Sequence, residues 1–151
     1  AIVAGVPESV ARCIYGFGYN IGLAFRIEDD WLDTFGDSKV FGKKIGGDIL
    51  NAKKTWLLTK AFELASTEGA PCSRAELVEA MAMKAETDEA KAEKISRVKG
   101  LYEALGVVEA ARMEIQRYND MAVRCLAETG LSTLKTTMLV RYSDNLVGRD
   151  R

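Results

Sequence analysis

The strongest structural pattern in this chain is a run of apolar residues at helical spacing near its beginning. Pro7 and Glu8 suit the first turn of an α-helix, where proline needs no N–H partner and a negative charge is favourable. The helical stripe then consists of Val10, Ile14, Phe17, Ile21 and Phe25. Because Phe35-Gly36 is a suitable stop, we predict one long helix from Pro7 to about Gly36.

Helical patterns also account for most of the remaining chain. We predict further helices over about 51–66, 73–84, 88–105, 108–125 and from 132 onward, the 73–84 helix opening with a Ser73–Glu76 capping box. Residues 34–50, rich in Gly and Lys, are predicted to form the only substantial loop. With 48% hydrophobic residues and 2 prolines, the composition fits long helices around one core. We therefore predict a single all-α helical bundle over residues 1–151.

Three aspartates crowd the end of the first predicted helix. At 3.6 residues per turn, Asp29, Asp30 and Asp33 fall within a sector of about 100°. Their mutual repulsion and the negative end of the helix dipole both disfavour this arrangement. A bound cation relieves both effects. Hard carboxylate oxygens suit Mg²⁺, which is often bound jointly by one or two carboxylates and by substrate phosphates. Taken alone, the aspartates are better explained as a solvated acidic helix end, because acidic helix faces are common.

Lysines follow the aspartates at Lys43, Lys44 and Lys53. As compact positive charges they suit the same phosphates that a magnesium ion binds. Carboxylates, metal and lysines together predict a diphosphate site. The alternative interpretation of the lysines by themselves is a basic surface loop.

Taken together, these segments resemble the second aspartate-rich region of the trans-polyprenyl diphosphate synthases, which include the farnesyl and geranylgeranyl diphosphate synthases. The resemblance is carried by three ordered elements: Phe25-Arg26-x-x-Asp29-Asp30-x-x-Asp33, Gly42-Lys43-Lys44-x-Gly46-x-Asp48 and Lys53-x-x-Trp56. It implies the C-terminal part of a helical bundle of the isoprenoid synthase type. One position departs from the family, since Arg26 stands where glutamine is usual.

The resemblance also implies a reaction, in which an allylic diphosphate is ionised with the help of Mg²⁺ and condensed with isopentenyl diphosphate into a longer trans-polyprenyl diphosphate. Asp29 is then expected to be the principal metal ligand, with Asp30 and Asp33 acting directly or through water. Lys53 and either Lys43 or Lys44 are expected to hold the allylic diphosphate. The reaction centre would be lined by Phe25 and Arg26 beside Asp29.

Several other classes of function are excluded or disfavoured by composition. The chain contains no histidine, which removes Ser-His-Asp and Cys-His catalysis and histidine-bound zinc. Its cysteines, Cys13, Cys72 and Cys125, form no Cys-x-x-Cys pair and are expected to be reduced. A net charge of −1 gives no reason to expect nucleic acid as a partner. Without a membrane span or signal peptide, we expect a cytoplasmic protein.

The chain begins abruptly and contains only one aspartate-rich motif. We therefore expect it to be the C-terminal half of a longer synthase, unable to turn over without an N-terminal half that carries the first motif. Gly16, Gly18 and Gly22 predict close approach of a neighbouring helix or substrate, and Phe17, Ile21 and Phe25 are expected to be partly bare. A homodimer is expected. The alternative function is a non-catalytic helical subunit or interaction module with the same fold.

Overall fold

The computed structural model describes residues 5–36 and 45–147. These residues form seven helices and no strand: α1 (Glu8–Phe35), α2 (Gly47–Leu50), α3 (Trp56–Leu64), α4 (Arg74–Ala82), α5 (Asp88–Ala104), α6 (Val107–Ala127) and α7 (Thr133–Val147). The all-α prediction is confirmed for this part of the chain. None of these described helices combines the length and the apolar character needed to cross a lipid bilayer.

Helix α1 begins and ends where the sequence predicts, but α3 does not. The prediction started α3 at Asn51, whereas the helix begins at Trp56. Thr55 is its N-cap, and the Thr55 hydroxyl accepts a hydrogen bond from the N–H of Leu58 at 3.1 Å. Upstream, Ala52 has a φ of 48°, which no helix accommodates. The chain therefore turns before α3 instead of entering it directly.

The loop predicted over residues 34–50 is also corrected. Its last part contains α2, a single helical turn over Gly47–Leu50 that follows Gly46. Residues 37–44 lie outside the described part of the chain. Helix α4 opens with the predicted capping box, since Ser73 Oγ accepts from the N–H of Glu76 at 3.2 Å and a Glu76 carboxylate oxygen accepts from the N–H of Ser73 at 2.7 Å. The hydrogen bonds that the Ser73 N–H and the Ser73 hydroxyl donate to the Glu76 carboxylate lower the pKa of Glu76.

The described residues fall into two compact units, one within Ala1–Glu28 and Met113–Arg151, the other within Asp29–Arg112. In the first unit, Phe17 and Ile21 are buried together with Ala122 and Leu126 of α6. Cys125, Leu139 and Val140 pack against this cluster. The expectation that Phe17 and Ile21 are partly bare is therefore wrong, because α6 and α7 cover them.

The glycines of α1 have different surroundings. A Cβ added to Gly16 would lie 2.9 Å from Cys125 Sγ, so the predicted close approach of a helix is present at this position. At Gly18 and Gly22 the same test finds no atom within 4 Å. Tyr15 and Tyr19 stack nearby and are 72% and 57% exposed. This side of α1 is open within its unit.

The second unit is built around α5. Helices α2, α3 and α4 all contact α5, and α3 also contacts α4. Its fully buried side chains include Leu57, Ala61, Leu77, Ala80, Val98, Val107 and Ala111. Ala61 of α3 is buried, whereas Trp56, Phe62 and Ala65 are half-buried. The single-domain prediction over residues 1–151 stays a prediction.

Candidate functional site

The last two turns of α1 carry the three predicted aspartates, and all three belong to the second unit. Their surroundings differ. Asp29 is exposed, Asp33 is half-buried, and Asp30 is only 9% exposed. No hydrogen bond or ion pair reaches the Asp29 carboxylate from residues 5–36 and 45–147. The geometry therefore separates one accessible carboxylate from two that interact with the protein.

Asp30 holds the beginning of α3. Its Oδ2 accepts a hydrogen bond from the backbone N–H of Trp56 at 2.8 Å. This N–H belongs to the first residue of the helix and has no partner within the helix itself. A carboxylate at the N-terminus also interacts favourably with the helix dipole. Asp30 thereby fixes the position of α3 relative to the end of α1.

Asp33 holds the beginning of α2 in the same way. Its Oδ2 accepts from the backbone N–H of Asp48 at 2.8 Å, and its backbone carbonyl accepts from the N–H of Gly46 at 2.6 Å. Burial raises the pKa of Asp33, and the negative charges of Asp48 and Asp29 raise it further, against the opposing effect of the Asp48 N–H. The charge of Lys53 opposes the shift as well, so Asp33 lies partly buried near two other acidic residues and one lysine.

Gly46 is required for this arrangement. Its φ of 83° lies in the left-handed region, where residues with a Cβ are disfavoured. A Cβ at this position would also lie 2.5 Å from Cδ1 of Ile95. The glycine of the predicted motif therefore allows α2 to lie close to both Asp33 and α5.

Lys53 is the predicted diphosphate ligand that the structure describes. Its ammonium group contacts both carboxylate oxygens of Asp48, at 2.9 and 3.0 Å. The bond to Asp48 raises the pKa of Lys53, and the charges of Asp30 and Asp29 contribute to the same shift. The lysine is exposed, so its positive charge remains accessible at the surface.

Sequence reasoning assigned no role to Asp48, although it stands in the quoted motif. The structure places it between Asp33, which binds its N–H, and Lys53, which binds its carboxylate. An acidic residue in the first turn of a helix was the available signal. Tyr102 of α5 is buried. Its burial, and to a lesser extent the charges of Asp30 and Asp48, raise the pKa of its hydroxyl.

The other predicted site residues are less tightly placed. Phe25 is 38% exposed, in agreement with the expectation that it is partly bare. Arg26 is exposed and takes part in no ion pair among the described residues. Lys43 and Lys44 lie outside the described residues.

The aspartates fit one kind of metal site and not another. Within residues 5–36 and 45–147, no three potential ligands come close enough together to form a protein cage around a metal. Asp30 and Asp33 each bind a backbone N–H instead of converging on Asp29. Mg²⁺, however, usually keeps several waters and takes one or two carboxylates together with substrate phosphates. An exposed carboxylate beside a surplus of negative charge fits that mode of binding.

The chain was compared with known proteins. Residues 1–98 match the family model described as polyprenyl synthetase. The chain is 34% identical over 150 residues to a geranylgeranyl pyrophosphate synthase of Geoglobus acetivorans, in a match that covers 99% of this chain and 42% of that protein. It is 33% identical over 144 residues to a geranylfarnesyl diphosphate synthase of Aeropyrum pernix, with 94% and 42% covered.

Solved structures show the same similarity. A crystal structure of a geranylgeranyl pyrophosphate synthase matches with a TM-score of 0.86 and 38% identity, covering 100% of this chain and 45% of that one. The geranylgeranyl pyrophosphate synthase of Corynebacterium glutamicum, complexed with isoprenyl diphosphate and magnesium, has the same fold, with a TM-score of 0.81 at 24% identity. The predicted fold class, an all-α bundle of the isoprenoid synthase type, is confirmed. The chain spans less than half the length of these relatives.

Proposed function

Since this chain belongs to the polyprenyl synthetase family, we propose that it takes part in Mg²⁺-dependent prenyl transfer. In this proposal the aspartate-rich end of α1 binds the diphosphate of an allylic substrate. The allylic group is then joined to isopentenyl diphosphate, which gives a longer trans-polyprenyl diphosphate. The names of the related synthases and the isoprenyl diphosphate and magnesium of one solved relative support this substrate class.

The observation that carries the proposal is that, among the described residues, two of the three aspartates bind the protein backbone and the third does not. Asp30 and Asp33 bind the N-terminal N–H groups of α3 and α2, while the Asp29 carboxylate is exposed. The segment that carries Lys53 is thereby held against the end of α1. A carboxylate that is accessible to a metal and a nearby positive charge are what a diphosphate with a bound metal requires.

Each residue has a proposed role. Asp29 would be the principal metal ligand, and Asp30 and Asp33 would bind through water or through oxygens not used by the backbone. When bound there, Mg²⁺ would neutralise the diphosphate and stabilise it as a leaving group. Lys53 would exchange its contact with Asp48 for a diphosphate oxygen, a short movement for an exposed side chain.

Three further roles are proposed, two from the family motif and one for Arg26, which departs from it. Lys43 or Lys44 would supply a second positive charge to the diphosphate. Phe25, four residues before Asp29 on α1, would line the reacting carbons. Arg26 would turn its guanidinium towards a substrate phosphate, since no ion pair holds it among the described residues.

The proposal also includes residues from outside this chain. A metal-bound diphosphate needs charge on more than one side, and one aspartate-rich motif supplies one side. We propose that a segment with the first aspartate-rich motif faces Asp29, that the 151-residue chain alone does not turn over, and that the assembled synthase is a homodimer. Measurable prenyl transfer by this chain alone would overturn that part of the proposal.

Thermal unfolding tests the binding proposal. Mg²⁺ with a bisphosphonate should raise the melting temperature, because a ligand bound only by the folded state adds RT ln(1 + [L]/Kd) to its stability. Asp29→Ala should remove most of the increase, and Mg²⁺ or bisphosphonate alone should have little effect. A melting temperature that does not respond, or responds equally in the variant, would instead favour the non-catalytic helical module.

A further inference from the structure

A cavity of about 580 Å³ lies between α3 and α4, apart from the aspartates. Its lining is mostly apolar and consists of Ala52, Lys54, Leu58, Thr59, Phe62, Arg74, Val78, Met81 and Ala82. We refer to these residues as the α3–α4 groove. It shares no residue with the site formed by Asp29, Asp33 and Lys53. Its volume is within the range of pockets that hold small organic ligands, roughly 300–1,000 Å³.

The groove carries positive charge without a matching carboxylate. Lys54 and Arg74 are exposed and take part in no ion pair among the described residues. The Arg74 guanidinium lies 5.5 Å from the ring centre of Phe62, and its Nη1 donates to Ser66 Oγ at 3.3 Å. A guanidinium has five donors, so this one can still bind an anion.

The acidic residues of α4 interact elsewhere. Glu76 caps its own helix through Ser73, and Glu79 lies 4.0 Å from Arg97 of α5. Neither glutamate lines the groove. The two consecutive lysines before α3 lie at different sites. Lys53 contacts Asp48 at the aspartate site, and Lys54 lines the groove.

The apolar part of the groove is exposed to solvent. Val78 is 55% exposed. Leu58, Phe62 and Met81 are half-buried beside it. A ligand that covers these side chains must be apolar over most of its length, and one that also satisfies Lys54 or Arg74 must carry an anionic group.

We propose that the α3–α4 groove is a second binding site, which takes an isoprenyl diphosphate without Mg²⁺. The hydrocarbon chain would lie on Leu58, Phe62 and Val78, and the diphosphate would bind Arg74 and Lys54 directly. The choice of an isoprenyl diphosphate among amphipathic anions rests on the proposed function. A second protein copy fits less well, because a stable interface needs roughly 800 Å² from each partner, and a concave pocket of this size suits a small ligand.

Calorimetry with farnesyl diphosphate in EDTA tests the proposal on the 151-residue chain. Because chelation of Mg²⁺ removes the metal-dependent mode of binding, the groove is the expected source of the remaining binding heat, and the variants below test this assignment. Val78→Asp and Arg74→Gln should each weaken binding by about tenfold or more, through a buried charge and a lost charge-assisted hydrogen bond respectively. The matched controls are Val123→Asp, at an equally exposed valine of α6, and Arg112→Gln. Both should leave the affinity within about twofold of the wild type.

Farnesol and inorganic diphosphate should each bind more weakly than farnesyl diphosphate, because each lacks half of the ligand. The proposal is overturned if Val78→Asp and Arg74→Gln both bind like the controls, or if Asp29→Ala removes the binding seen in EDTA. It is also overturned if sedimentation velocity shows that the wild-type chain self-associates and that Val78→Asp makes it monomeric without changing ligand affinity, because the groove would then bind a second copy of the chain. Failure of the Mg²⁺-dependent binding at Asp29 would contradict the proposed function and leave the EDTA result standing.

Discussion

Asp29 and Asp30 are neighbours in sequence with opposite surroundings, and this difference has a direct consequence for stability. Asp30 is 9% exposed and accepts the N–H of Trp56 at 2.8 Å, whereas Asp29 is exposed. In metal-free buffer, Asp30→Ala should lower the free energy of unfolding by roughly 1–3 kcal/mol, because a helix N-terminal N–H loses its partner. Asp29→Ala should change it by less than about 0.5 kcal/mol.

Urea unfolding of both variants measures this difference. Asp30→Asn is the control, since its amide oxygen can still accept the Trp56 N–H and should restore part of the loss. Equal stabilities for Asp29→Ala and Asp30→Ala would mean that Asp30 does not hold α3.

At the scale of the element, the position of α2 depends on a glycine. Gly46→Ala should lower the free energy of unfolding by roughly 2–4 kcal/mol, because φ is 83° and the new Cβ would meet Ile95 at 2.5 Å. Gly100→Ala is the matched control: this glycine is inside α5, with no atom within 4 Å of the added Cβ. That substitution should stabilise the protein by about 0.5–1 kcal/mol. Chemical denaturation in parallel gives both values, and the same sign for the two would contradict the structure.

How far the sequence predicts the elements depends on where the information is local. The long helix α1 and the capping box at Ser73 follow from residues close in the chain, and both are present. The start of α3 was misplaced because Thr55 caps it without an acidic residue three positions later, and because Asp30, 26 residues away in sequence, binds its first N–H. The periodicity of residues 51–66 contains neither interaction.

At the scale of the whole molecule, each unit has its own core, and the first is tested by a pair of substitutions on α1. Phe17 is 7% exposed against α6, and Tyr15 is 72% exposed. Phe17→Ala should therefore lower the free energy of unfolding by roughly 3–5 kcal/mol, and Tyr15→Ala by less than about 1 kcal/mol. Similar losses for both would mean that α6 and α7 do not cover this face of α1.

The sequence motif identifies the candidate site residues but not their geometry. Helical spacing places Asp29, Asp30 and Asp33 on one face of α1, but Asp30 and Asp33 bind backbone N–H groups instead of forming a three-carboxylate cluster with Asp29. Helical spacing contains no information on which carboxylate binds the protein, because the N–H groups of Asp48 and Trp56 are 15 and 26 residues away in sequence from Asp33 and Asp30, respectively. For the same reason, the sequence does not show that Asp48 does more than an ordinary acidic residue in the first turn of a helix.

The central claim is that Asp29 and Lys53 together form one side of a magnesium–diphosphate site. Calorimetric titration of inorganic diphosphate into the 151-residue chain tests it most directly, with and without Mg²⁺. The account predicts Mg²⁺-dependent binding that Asp29→Asn and Lys53→Gln each weaken by about tenfold or more, while Lys135→Gln, at an exposed lysine of α7, has no effect. Binding that persists in EDTA with the same affinity, or that is unchanged in Asp29→Asn, would contradict it.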